Sequence, residues 1–149
     1  MEIKQFMGPF RFLSNFYPSE ITHNGIAYPT VEHFYQAMKC VDKNEAFAIA
    51  NAATPVQAKR MGRKVKIRPD WESIKEQIMG FALWEKFKNP KLREKLIETG
   101  NATLIEGNYW HDNYWGECQC EECMNKVKQN RLGCLLMAVR SMAMQEEGA

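Results

Sequence analysis

The chain has 149 residues, 45% of them apolar and 26% charged, which suits one globular domain with a genuine core. It holds no apolar run long enough to span a membrane, and its first residues, MEIKQFMGPF, lack the zones of a secretory signal. A net charge of +2 and five cysteines, an odd number, argue against a strongly nucleic-acid-like charge balance and against a disulfide framework, so a cytoplasmic protein with reduced thiols is expected.

Taken in chain order, Phe10 to Pro18 is dense in aromatics and carries the polar pair Ser14-Asn15 at its centre. Ile21-Thr22-His23 and Ile26-Ala27-Tyr28 flank Asn24-Gly25, the strongest short hairpin signal. Thr30 then caps a helix over Val31 to Met38 and puts Glu32 in its first turn. A second helix is expected over Glu45 to Ala52. Thr54 caps a third, with Pro55 at its first position and Gly62 at its end. Asp70 is expected to cap a long helix from Trp71 to about Lys88, whose Ile74, Ile78 and Phe81 recur at helical spacing as core residues. Asn89-Pro90 opens a helix that stops at Gly100, and Ala102 to Ile105 reads as a short strand. Glu106 to Asn130 has no clean period. A last helix runs from about Leu132 to Met144 with Leu135, Leu136, Val139 and Met142 as its apolar face. The class is α+β, predominantly helical, in one domain over residues 1–149 with a small β element.

Three places could carry chemistry. Glu32, Tyr35 and Gln36 share one helix face, opposite the apolar Val31, Phe34 and Met38. A first-turn carboxylate can simply meet the helix dipole, or it can serve as an acid/base group. Glu106 to Gly116 mixes acids, amides and aromatics, which can stack on a base and hold ribose hydroxyls, or can pack as an aromatic loop. Lys59, Arg60, Arg63, Lys64, Lys66 and Arg68 form a basic stretch without an acid. It is either an anion site or a solvated face. Walker A, GxGxxG, GxSxG and HExxH motifs are absent. Cys118-Gln119-Cys120-Glu121-Glu122-Cys123 supplies three thiols that could bind zinc, with His111 or Cys134 open as the fourth ligand; the alternative is three reduced surface-loop thiols.

GPFRFLSNFYP, YPTVEHFYQAMK, TPVQAKRMGR, RPDWE, KNPKLREKL, TGNATLIEG, DNYWG and RLGCLLMAVR occur in this order, and jointly they resemble the NADAR family, also called YbiA-like, from roughly Phe6 to Arg140. The Cys118–Cys123 insertion is found in only a subset of members, and the stretch Glu106 to Asp112 is slightly longer than in some. The resemblance implies the YbiA-like fold and an N-glycosidase, needing no cofactor for catalysis. It implies one of two substrate classes: ADP-ribose attached to guanine in nucleic acid, removed in opposition to a cognate ADP-ribosyltransferase toxin, or ribosylamino-pyrimidine phosphate intermediates of riboflavin synthesis. Carried over by position, Glu32, Lys59, Trp71 and Asp112 are the implied catalytic set, with Ser14, Asn15, Trp115 and Gly116 around the substrate; the helix face, the basic stretch and the mixed loop add Tyr35, Arg60, Arg63 and Glu106 as binding candidates. Glu32 is expected to act as acid/base or cation-stabilising carboxylate, Asp112 as a second carboxylate converging on the same sugar, and Trp71 as a stacking wall. Lys59 is expected to hold phosphate or to form a Schiff base. A non-catalytic NAD- or ADP-ribose-binding module would need the cations and aromatics but not both acids. A plain nucleic-acid binder would need more positive charge.

Overall fold

The computed structural model describes residues 1–148. The chain divides into two compact units, Asn15–Lys86 and Met1–Ser14 with the chain from Phe87 onward. The class is α+β with helices dominant, as the sequence leads one to expect.

In the unit Asn15–Lys86, β2 (Ile21–His23) and β3 (Ile26–Tyr28) pair antiparallel in the register Ile21 to Tyr28. Asn24 at φ 50° and Gly25 at φ 77° make the two-residue turn whose left-handed positions favour those residue types. Four helices follow: α1 (Val31–Met38), α2 (Lys43–Ala50), α3 (Pro55–Gly62) and α4 (Trp71–Lys86). Thr30 and Thr54 cap α1 and α3 through their hydroxyls, which accept from His33 N and Gln57 N at 3.1 Å. The second helix starts earlier than the sequence suggests, because the Asp42 carboxylate accepts from Asn44 N at 2.7 Å and caps it there. Asp70 is not a side-chain cap for α4; its carboxylate receives Arg68 Nε and Nη2 at 2.7 and 3.1 Å instead. That ion pair also removes Arg68 from the free basic stretch. The core of this unit is aromatic, with Phe34 meeting Tyr28 edge-on at 5.1 Å and His23 at 5.6 Å.

The expected core face of α4 is corrected. Its buried residues are Trp71, Met79, Ala82, Leu83 and Lys86, while Ile74 and Ile78 are half-buried and Phe81 is 37% exposed. Phe81 instead lies over the outside of the aromatic cluster, 5.3 Å from the His23 ring.

In the other unit, β1 (Glu2–Ile3) pairs parallel with β4 (Thr103–Leu104), and β5 (Gly107–Asn108) pairs parallel with β6 (Glu117–Cys118). Strands of two residues carry no alternation, so β1, β5 and β6 leave no sequence signal. A 3-10 turn over Gly8–Leu13 buries Phe12, which meets Phe87 edge-on at 6.4 Å. Asn89 caps α5 (Pro90–Glu98) through backbone N–H groups of Lys91 and Leu92. The last helix, α6 (Arg131–Glu147), is longer than expected and buries Leu132, Gly133, Leu136, Val139, Arg140 and Ala143. Leu135 is only half-buried and Met142 is 49% exposed, so neither belongs to the expected apolar face as a core residue. Among the described residues no helix is long and apolar enough to cross a membrane.

Candidate functional site

Helix α1 is unusual in that every residue from Val31 to Ala37 is buried, the polar face of Glu32, Tyr35 and Gln36 included. A polar helix face hidden from water needs partners, and Glu32 finds them, whereas Gln36 Oε1 is buried without one. The Glu32 backbone N–H donates to Asn15 O at 3.1 Å, which satisfies one orphan donor of the first turn. Glu32 is 7% exposed as a residue, and its carboxylate accepts from Gln36 Nε2 at 2.6 Å, a charge-assisted bond one helical turn along.

His33, next to Glu32 in the motif, has a different task. Its Nε2 lies 3.0 Å from the Ala52 carbonyl, which can only accept, so Nε2 carries the proton. Its Nδ1 then accepts from the Thr30 hydroxyl at 2.8 Å. Burial holds the His33 pKa below its ordinary value. The imidazole is therefore a neutral post that ties the start of α1 to the end of α2.

Lys39 links the carboxylate to the cations of α3. Lys39, seven residues beyond Glu32 on α1, has its pKa lowered, first by burial and then by the like charges of Arg63 and Lys59, while Glu32 opposes the shift. These four groups thus share one electrostatic neighbourhood. The Lys39 ammonium also lies 5.7 Å from the centre of the Tyr35 ring, and Tyr35 packs on Trp71 at 5.0 Å between centroids. Trp71 is 5% exposed. Lys59 is half-buried with its ammonium 5.9 Å from the Phe16 ring, and Arg60 and Arg63 are exposed. Arg63 stands just past the end of α3, as its C-cap.

Gly62 closes α3 for a reason the sequence hides. It is not a left-handed terminator: a Cβ there would sit 2.0 Å from Gln36 Oε1 and 2.7 Å from Gln36 Cδ. The missing side chain lets α3 press against the residue that holds Glu32. Asn15 adds a further polar element. Its Nδ2 donates to Met79 Sδ at 3.5 Å, whereas its Oδ1 is buried with no hydrogen-bond partner, an acceptor awaiting a donor.

The unit Asn15–Lys86 therefore brings together Glu32, Tyr35, Lys59, Arg63 and Trp71 of the expected set with Asn15, and leaves Arg60 as an exposed neighbour on α3. Lys39 belongs to this neighbourhood as well, Gln36 of the Glu32 face holds the carboxylate, and Lys86 is a further buried cation of the same unit. Gln36 and Lys39 lie on the Glu32 face by helical spacing, a signal available in the sequence. Lys86 is 1% exposed and its pKa falls to about 7 through burial, with its ammonium 5.7 Å from the Tyr17 ring. A lysine at the end of a helix reads as solvated, so nothing in the sequence marks it.

The remaining expected residues belong to the other unit. Ser14 closes the 3-10 turn, its N–H donating to Arg11 O at 2.9 Å. Asp112 Oδ1 accepts from the backbone N–H groups of Tyr114 and Trp115 at 3.1 and 2.9 Å, so one oxygen of this carboxylate holds its own turn. The Tyr114 and Trp115 rings meet edge-on at 4.9 Å. Gly116 allows a close approach: a Cβ there would lie 1.9 Å from Glu106 Oε2 and 2.0 Å from Glu106 O. Glu106 Oε2 accepts from Asn108 Nδ2 at 3.1 Å. Cys118, Cys120 and Cys123 gather around His111, whereas Cys134 lies apart and exposed.

The NADAR domain model matches residues 4–143. The chain is 40% identical over 130 residues to "N-glycosidase YbiA" of Shigella flexneri serotype 5b, covering 85% of this chain and 78% of that protein. It is 36% identical over 132 residues to "Riboflavin biosynthesis protein VVA0006" of Vibrio vulnificus, covering 87% of this chain but 34% of that protein. The NMR structure of E. coli YbiA superposes with a TM-score of 0.83 at 35% identity, covering 99% of this chain and 86% of that one. The chain belongs to the NADAR domain family and is a glycosyl hydrolase of its N-glycosidase type.

Proposed function

We propose that the N-glycosidic bond cut by this enzyme joins ADP-ribose to a guanine of nucleic acid. The observation that carries this reading is the buried Glu32 carboxylate lying in one electrostatic neighbourhood with Lys39, Lys59 and Arg63. Cleavage of an N-ribosyl bond builds positive charge on the ribose ring and negative charge on the departing nitrogen. Glu32, oriented by Gln36 and shielded from water, suits the first charge or the proton transfer that relieves the second. The cations suit a diphosphate: Lys59 and Arg63 would anchor it, and exposed Arg60, Lys64 and Lys66 extend the positive face for flanking nucleic-acid phosphates. The unpartnered Asn15 Oδ1 would accept from a ribose hydroxyl or a base N–H. Trp71 and Tyr35 would wall the sugar from solvent. Asp112, in the other unit, is the second carboxylate that the family resemblance implies. An ADP-ribosyltransferase toxin acting on guanine would generate the substrate.

A second reading keeps the chemistry and changes the substrate to a ribosylamino-pyrimidine phosphate. The relative named for riboflavin biosynthesis favours it. The deciding experiment offers the enzyme ADP-ribosylated DNA and the pyrimidine phosphate in parallel, and follows released ADP-ribose and ribose phosphate by chromatography. Faster release of ADP-ribose is expected. Turnover of the pyrimidine compound alone selects the second reading, and tight ADP-ribose binding without release from either would leave only a binding module.

A further inference from the structure

We propose that His111, Cys118, Cys120 and Cys123 form a structural zinc site. Their ligand atoms all lie within 4.8 Å of one another. His111 Nδ1 faces all three sulfurs, at 3.3 Å from Cys123, 3.4 Å from Cys120 and 3.9 Å from Cys118, and the Cys118 and Cys120 sulfurs are 3.3 Å apart. A zinc tetrahedron with Zn–S of about 2.3 Å and Zn–N of about 2.0 Å has edges of roughly 3.5 to 3.8 Å, so the four donors already outline one. A disulfide would need its sulfurs about 2.05 Å apart, well inside any of these separations.

The surroundings hold the donors in that arrangement. His111 has φ 68°, a left-handed conformation that a residue with a side chain adopts at a cost. Asn108 clamps the backbone on both sides of it: its Oδ1 accepts from Trp110 N and Asp112 N at 3.3 and 3.2 Å, and its Nδ2 donates to Asp112 O at 2.8 Å. Cys118 is fixed from the other direction, its N–H donating to Asn113 Oδ1 at 2.8 Å, and Cys120 and Cys123 bracket a 3-10 turn closed by Cys123 N to Cys120 O at 3.2 Å. Cys118 and Cys123 are fully buried, so these are not surface-loop thiols. With Nδ1 among the sulfurs, Nε2 is left outside the donor set, 3.9 Å from the exposed Glu122 carboxylate.

Three thiolates and one imidazole are a donor set that selects zinc over the hard divalent cations, and four protein ligands leave no open position for substrate, so the metal is structural. Cys134, half of the alternative left by the sequence, is outside the cluster.

The test reads metal and not turnover, so it stands or falls apart from the glycosidase reading. Purified protein should contain zinc at one ion per chain, Cys134→Ser should retain it, and Cys120→Ser should lose at least nine-tenths of it after dialysis. Metal-free wild type titrated with cobalt should develop the sulfur-to-metal and tetrahedral ligand-field absorption bands of a thiolate site, a readout that does not depend on any variant folding. A folded, reduced wild type that binds neither zinc nor cobalt would overturn the proposal. So would iron in place of zinc, or zinc that disappears with Cys134→Ser and persists in Cys120→Ser.

Discussion

Glu32→Gln separates a catalytic carboxylate from a helix-capping charge, because the two roles predict losses in different quantities. The substitution keeps the shape of the side chain and an acceptor for Gln36 Nε2, now 2.6 Å from Oε2. The charge-assisted bond becomes a neutral one, a loss of about 1 kcal/mol from a contact worth about 1.5–3 kcal/mol. Removing a negative charge from the first turn costs about 0.3–1 kcal/mol more. Both are offset by no longer burying a charge at a position 7% exposed. Net stability should therefore stay within about 2 kcal/mol of wild type. If Glu32 transfers a proton or faces the ribosyl cation, single-turnover rate should fall by about 10² to 10⁴, or about 2.7 to 5.4 kcal/mol of barrier. Thr30→Ala supplies the contrast, since it removes the cap of α1 and the Nδ1 partner of His33 and should cost about 1–3 kcal/mol of stability. Its single-turnover rate should stay close to normal while the protein is folded. Urea unfolding and quenched single-turnover assays on both variants would decide the matter. A Glu32→Gln enzyme whose rate stays within about threefold of wild type would refute the role, because that change is under 1 kcal/mol of barrier.

Asp112→Asn retains the oxygen that accepts from Tyr114 N and Trp115 N, so the turn and the melting temperature should survive. A tenfold or larger drop in turnover is the expected mark of a carboxylate that acts through its charge, about 1.4 kcal/mol of barrier, and an unchanged rate would reduce Asp112 to a turn residue. Gly62→Ala should cost about 1–3 kcal/mol by driving a methyl into Gln36, and Gln36→Ala should recover much of it in the double variant. Strict additivity of the two would mean the contact does not carry the effect.

Lys86 gives a pH dependence whose sign follows from its burial. Its folded pKa near 7 lies below the ordinary lysine value, so between about pH 7 and 10 the unfolded chain binds a proton that the folded chain lacks. Stability contributed by this group therefore rises with pH across that window, and its full cost is present below pH 7. Lys86→Met should stabilise the protein most at pH 6 and progressively less toward pH 10. Cys40, pushed up to about 11 by burial, acts in the opposite direction above pH 9, and the difference between variant and wild type cancels it. Parallel pH profiles of urea stability for the two proteins would contradict this account.

The features legible in the sequence are those decided by neighbours in the chain. The Asn24-Gly25 turn, the Thr30 and Thr54 caps and the Asn89 cap each rest on a bond spanning three residues or fewer, so residue type and spacing suffice. The helix faces were misjudged where a distant partner decides burial. Arg140 is buried on α6 with its Nη1 donating to Thr99 Oγ1 at 2.9 Å, and Gly133, two turns earlier, admits the Leu104 carbonyl, neither of which periodicity can weigh against Met142. The same distinction runs through the site. Helical spacing places Glu32, Tyr35 and Gln36 on one face. That this face is buried depends on the Asn15 carbonyl and on Gly62 of another helix. Burial is what gives the carboxylate its chemical value, because a charge held out of water acts through a lower dielectric on a developing cation than the same charge on a solvated cap. Residue type therefore nominates Glu32, and two contacts from outside its helix, at Asn15 and Gly62, turn it from a cap into a candidate for catalysis.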